Sequence, residues 1–238
     1  MRTIKAASLA LALALLAAAS SLALSAPRHV KATYAGFMNG MSIGTITEQF
    51  ESDRGSYRIV SDTKPVGLAA LMQRQPLRFS STGQIARDGL HPAQFEARRS
   101  ANAAPQVSAE FDWSQGHLVL KHGGKTESMS LPAGTQDRLS VMYQFMYLPA
   151  ERLRQLDFPM TNGRKLDRYR YRATPDVEIE TGLGRLKTLH LVKQREAGDT
   201  VSEVWLSPQH HNFPVKLLVV ERDGMRFEQV IQHLEVRD

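Results

Sequence analysis

The stretch Gly134–Ala150, GTQDRLSVMYQFMYLPA, decides how this sequence is read. Leu139, Met142, Tyr143 and Met146 recur at i, i+3, i+4 and i+7, which is one face of a helix. Val141, Phe145 and Leu148 carry the apolar surface nearly all the way round. A helix over 136–147 that is apolar on most sides is a helix buried on most sides. Thr135 or Asp137 can cap its start, and Asp137 in the first turn suits the helix dipole.

Around this segment nearly everything alternates with period two. In VKATYAGFMNGMSIGTITEQF (30–50), Asn39-Gly40 separates two extended runs, and a type I′ hairpin turn needs positive φ at both central residues. In the second run Met41, Ile43, Thr45 and Thr47 face one way, and Ser42, Gly44, Ile46 and Glu48 the other. Turn signals follow at SDRG (52–55), RDGLHP (87–92), Ser114-Gln115-Gly116 and Asp223-Gly224. PVGLAALMQRQ breaks the alternation, and Leu68, Leu71 and Met72 predict a short helix or lid at 66–73. About a dozen strands at this spacing, with no βαβ pattern, predict an all-β dominated fold with one central helix. The expected architecture is a mostly antiparallel, strongly curved or half-open β-barrel with the helix packed against or plugging its interior. About eight strands close a barrel that side chains can just fill. With a dozen, the helix acts as filler, and any space it leaves is a cavity lined by Leu139, Met142, Tyr143 and Met146. The competing reading makes these four residues plain core.

The first residues give an address. Arg2 and Lys5 precede a Leu/Ala run from Leu9 to Ala19, and small residues follow. This is the pattern of a secretory signal peptide at 1–25, cut after Ser25, with a single domain over 26–238. The apolar run is shorter than the roughly 20 residues of a membrane span, so the processed chain is expected to be periplasmic and not integral to a membrane. Losing Arg2 and Lys5 lowers Lys plus Arg from 30 to 28 against 24 Asp plus Glu, a net charge of +4. The charges are interleaved, and no basic block suggests nucleic acid. DRYRYR (167–172) reads as a strand with Arg168, Arg170 and Arg172 solvated and Tyr169 and Tyr171 buried. Without cysteine there are no disulfides, thiolate catalysis or thiolate metal sites.

Catalytic signals are lacking. The sequence holds no G-x-S-x-G elbow, H-E-x-x-H helix or phosphate-binding glycine loop. His210-His211 reads as a loop pair, and His117 and His122 sit near strand ends with no third ligand positioned. Asp112 and Glu203 could pair only in space. Asp137 beside Arg138 reads as a cap plus a local ion pair. No catalytic residue, cofactor or metal is expected.

Several phrases carry a resemblance as a set. They are S-x-G-x-I-x-x-D-G-L-x-P-x-x-F at 81–95, F-D-W at 111–113, L-P-x-G-x-Q-D-R-L-S at 131–140, E-V-W-L at 203–206, F-P-V-K-L at 213–217 and E-R-D-G at 221–224. Over roughly 30–235 the chain resembles the bacterial exported family called domain of unknown function 3108. The resemblance implies a periplasmic antiparallel β protein, similar to lipoprotein-carrier-like barrels, with no established activity. It marks Asp88, Gly89, Leu90, Pro92, Gln136, Asp137, Leu139 and Ser140 as signature positions with structural roles. The first functional expectation is a non-enzymatic binder or carrier of a hydrophobic small molecule or lipid, such as an acylated peptide. The alternative is an envelope assembly or interaction module with a protein partner and no cavity. A hydrolase with a dispersed site is the weakest reading.

Overall fold

The computed structural model describes residues 27–67, 77–99, 103–194 and 199–237. The leader at 1–25 and most of the 66–73 lid lie outside the described residues. The N-terminal half is a meander of eight strands: β1 (His29–Met38), β2 (Met41–Asp53), β3 (Ser56–Pro65), β4 (Leu77–Ala86), β5 (Gly89–Arg98), β6 (Val107–Asp112), β7 (His117–His122) and β8 (Lys125–Ser130). A crossover segment follows. It holds β9 (Gln136–Asp137), helix α1 (Ser140–Gln144), a 3₁₀ turn at Phe145–Tyr147 and helix α2 (Ala150–Leu153). The C-terminal half is β10 (Gln155–Thr161), β11 (Leu166–Thr181), β12 (Gly184–Lys193), β13 (Val201–Ser207), β14 (Phe213–Val220) and β15 (Arg226–Arg237).

All fifteen strands belong to one open sheet, in the order β8-β7-β6-β5-β4-β3-β2-β1-β15-β14-β13-β12-β11-β10-β9. Every pairing is antiparallel except β9 with β10. The chain starts mid-sheet, walks to one edge, crosses to the other edge and walks back, so β1 and β15 form a central seam. The β1–β2 hairpin turns on Asn39-Gly40, at φ 49° and 79°, the left-handed pair that its two-residue turn demands.

Five strands separate β5 from β14 in this order, yet both touch α1. At ~4.8 Å per strand a flat sheet would hold them roughly 29 Å apart, and a helix is only ~10–12 Å across. The sheet therefore curls round the crossover segment. Bulges at Thr33/Tyr34, Gly36/Phe37, Thr82/Gly83 and Trp205/Leu206 add the local twist that curling needs.

Inward residues alternate as the pattern predicts: Val30, Ala32, Tyr34 and Gly36 from β1, and Gly44, Ile46, Glu48 and Phe50 from β2. The interior forms two cores with α1 between them. Leu139 and Tyr143 belong to the first, with Phe50, Phe95 and Phe213. Val141 and Phe145 belong to the second, with Leu191, Val204 and Leu206. A helix apolar all round is what two facing cores require.

The helix expected over 136–147 is shorter than its spacing predicts. Gln136 and Asp137 are drawn into the parallel bridge with Met160 and Thr161. The chain leaves helical geometry at Leu148, one residue before Pro149, as the restriction on residues preceding proline favours. The strand count also exceeds the dozen expected: β10 carries Pro159, which weakens its strand pattern, and β9 is only two residues long.

Candidate functional site

The strongest convergence of polar groups lies where the crossover meets β4 and β5. Asp137 is fully buried, and its Oδ1 accepts the backbone N–H groups of Leu139 and Ser140 at 2.8 and 2.9 Å. Its own N–H donates to Ser140 Oγ at 2.9 Å, closing a reciprocal box around the turn into α1. Its Oδ2 accepts the Ser81 hydroxyl at 2.6 Å, and Ser81 in turn meets Tyr57 Oη at 3.1 Å. Burial raises the Asp137 carboxyl above its ordinary value, against the lowering effect of these donors.

The signature positions meet here too. Gln144 Oε1 accepts from Leu90 N–H at 2.6 Å while its Nε2 donates to Asp88 C=O at 2.7 Å. Gln136 Nε2 donates to Leu90 C=O at 2.8 Å. Two glutamines of the crossover thus bond the backbone at the start of β5. Gly89 sits at φ 111°, and a Cβ there would overlap the Gln144 amide. Pro92 C=O accepts from Trp113 Nε1 at 2.6 Å, and Asp88 pairs with His91 at 2.8 Å. This joint closes the bowl with side chains where its two sheet edges do not pair.

Beside the joint lies an open cavity of about 730 Å³ between the two halves. The N-terminal half contributes Ile46, Glu48, Ser61 and Phe79. The C-terminal half contributes Met160, Tyr169, Tyr171, Leu217 and Phe227, and the crossover adds Arg138, Leu139 and Met142. Of the four residues expected to line an interior space, Leu139 and Met142 are on this wall. Tyr143 lies behind it, fully buried, stacked on Phe50 at 5.1 Å and edge-on to Phe213 at 5.5 Å. Met146 is half-buried against the first core and is not among the residues lining this cavity.

Two charged cavity residues escaped the sequence reading. Glu48 is 6% exposed and accepts Ser61 Oγ and Tyr143 Oη, each at 3.3 Å. Burial pushes its carboxyl up to about 7, against the opposing pull of those two hydroxyls and the charge of Arg138. Alternation holds the signal, since Glu48 shares the inward face with Ile46 and Phe50. Arg138 was expected to pair with Asp137. Instead the neighbours diverge: Asp137 turns to β4, and Arg138 enters the cavity, 4.5 Å over the Phe79 ring. Arg138 is enclosed by the bowl yet exposed to solvent filling it, so atoms surround it without sealing it. Enclosure lowers its guanidinium from the ordinary value, and the charge of Glu48 is the foremost influence raising it again.

His117, His122 and His210 stand apart from this site. His117 and His122 are the two ends of β7, and His210 closes a 3₁₀ turn with its Nδ1 2.8 Å from Ser207 Oγ. Arg168 and Arg170 share Asp157 at 2.6 and 3.4 Å, and they line the cavity together with Tyr169 and Tyr171. Among the described residues no group of His, Asp and Glu has metal-binding geometry, and no helix is long and apolar enough to cross a membrane.

An open antiparallel bowl wrapped on its own crossover, with an amphipathic cavity beside it, defines a β-barrel-like protein. The chain belongs to the DUF3108 family of proteins of unknown function, whose model matches residues 30–230. Its fold is similar to a beta-barrel-like protein of domain of unknown function DUF1849 from Brucella abortus, with TM-score 0.52 at 9% identity, covering 89% of this chain and 99% of that one. A chain from Parabacteroides distasonis described as a lipoprotein gives TM-score 0.38 at 9% identity, covering 88% and 96%. A domain from Vibrio parahaemolyticus described as outer membrane lipoprotein-sorting gives 0.26 at 10% identity, covering 87% and 85%. No curated protein matches the chain.

Proposed function

We propose that this protein is exported to the periplasm, is freed of a leader at 1–25, and binds an apolar or amphipathic molecule in the cavity between the halves of its sheet. The observation that carries this reading is the cavity itself. Its ~730 Å³ falls within the range of small-molecule sites. Its wall sets an apolar patch of Met142, Met160, Leu217 and Phe227 within a majority of polar and charged side chains, and methionine adapts to varied apolar shapes. The role is binding or carriage without chemistry, since nothing in the sequence sets a nucleophile beside a base. The test is native mass spectrometry and solvent extraction of the purified protein, together with uptake of a neutral hydrophobic dye. If no amphiphile co-purifies and no dye is taken up, the reading falls.

A second reading, an interaction module of the cell envelope, draws on edge strand β8, largely exposed along its length. Such an edge can accept a partner strand. Its Lys125 and Glu127 argue the other way, because charges on an edge discourage pairing.

A further inference from the structure

Four carboxylates line the cavity, and three of them already have strong partners. Asp167 pairs with Lys165 at 2.6 Å, and Asp199 with Arg222 at 3.3 Å. Glu48 is held by Ser61 and Tyr143. The Glu221 carboxylate accepts only the Thr200 hydroxyl, at 3.2 Å, among its described hydrogen bonds.

Two of the lining cations are placed differently. Among the described residues the Arg138 side chain makes no hydrogen bond and no ion pair within 4.0 Å; it lies 4.5 Å over the Phe79 ring, and the charges of Glu48, Asp137 and Glu221 act on it only from farther off. Lys193 likewise has no ion pair there, and its Nζ stands 4.5 Å over the Tyr169 ring. Tyr169 also feels the charge of Arg138, so Arg138 of the crossover and Lys193 of β12 line the same cavity around Tyr169. A guanidinium offers five N–H donors in a planar fork suited to carboxylate or phosphate. Aromatic faces hold such cations in place without spending those donors. A cation so placed keeps its donors free for an incoming acceptor.

We infer that the cavity takes an amphiphile with an anionic headgroup: Arg138, seconded by Lys193, holds the anion, and the apolar chain lies along Met142, Met160, Leu217, Val219 and Phe227. This rests on the reading of the cavity as an amphiphile site and adds the sign of the headgroup. Carboxylate and phosphate headgroups share the required chemistry.

The test is displacement of a neutral hydrophobic dye from the full-length processed protein by four probes. These are myristate, monomyristoylglycerol, tetradecyltrimethylammonium and inorganic phosphate. Myristate is expected to bind about tenfold or more tightly than the neutral monoglyceride, the worth of one charge-assisted contact. The cationic amphiphile should bind more weakly than either, and phosphate alone should not displace dye. Arg138→Gln should abolish the preference by weakening myristate far more than monoglyceride, and Arg138→Lys should keep part of it. Because Arg138 holds no other residue by a hydrogen bond, both variants should melt with the parent. Equal binding of myristate and monoglyceride, or a preference that survives Arg138→Gln, overturns the headgroup assignment alone. Phosphate binding as tightly as myristate makes the site one for a free anion and overturns it too. Failure of every chain-bearing probe removes the amphiphile reading and this inference together.

Discussion

Tyr143 and Glu48, 95 positions apart in the chain, share a 3.3 Å hydrogen bond within the bowl. The bond ties the crossover to β2 and holds a carboxyl that burial has pushed up to about 7. A carboxyl raised on folding binds its proton more tightly in the native state than in the unfolded chain. Its stabilising effect is therefore complete below the unfolded value near 4.5 and is lost as pH rises through about 7. Glu48→Gln keeps a neutral side chain of the same shape. Between pH 5 and pH 8 the parent should lose roughly 2–3 kcal/mol more stability than the variant, read by urea unfolding at both pH values. Equal pH dependence would rule out this account of Glu48. Tyr143→Phe, which removes a donor that favours the ionised form, should move the titration higher still.

Asp137 and Ser81 join the crossover to β4 through a 2.6 Å bond. Asp137→Ala strands the Ser81 hydroxyl and the N–H groups of Leu139 and Ser140 without water. The expected cost is roughly 2–4 kcal/mol, with a lowered melting temperature. Ser81→Ala in the same background should add less than it does alone, since the pair acts as a unit. Additive effects in the double-mutant cycle would contradict the network.

Gly89→Ala meets two obstacles: a backbone at φ 111°, where L side chains are strained, and the Gln144 amide lying where its Cβ must go. It should cost roughly 2–5 kcal/mol, by backbone strain and by loss of the bonds to Leu90 and Asp88. Gln144→Ala removes the obstructing amide. The double variant should therefore be less destabilised than the sum of the singles by about 1 kcal/mol, measured by chemical denaturation. Strict additivity would show that Gly89 answers to its backbone alone.

Met142→Trp places a bulky ring on the cavity wall from a half-buried position. Dye uptake should fall by about tenfold, on the order of 1.4 kcal/mol. The melting temperature should move by only a few degrees, because the ring has space to occupy. Unchanged uptake by a folded variant would place the dye elsewhere.

Local rules made much of the fold legible. Asn39-Gly40 demanded a hairpin, and the alternation through Ile46, Glu48 and Phe50 set the inner face of β2. The all-round apolar surface near Tyr143 correctly implied burial on several sides, because that signal depends only on composition and period. Long-range pairing was hidden. Nothing near Gln136 shows that Met160 will claim it as a bridge partner, and so the helix was expected to begin too early. Pro159 masked β10, which tolerates it because β9 pairs only with Met160 and Thr161. Arg138 was read as Asp137's partner because they are adjacent. The direction of each side chain is settled by how the crossover seats against β4 and β5, which sequence adjacency does not encode.

The β1–β15 seam makes the first and last strands immediate neighbours, His29 facing Arg237. β15 is made after β1–β14, and it must slot between β1 and β14, which are already flanked on their other sides. Until it arrives, no backbone pairing among the described strands joins the two halves. The sheet thus becomes continuous only when β15 is seated, however much of the leading meander has formed.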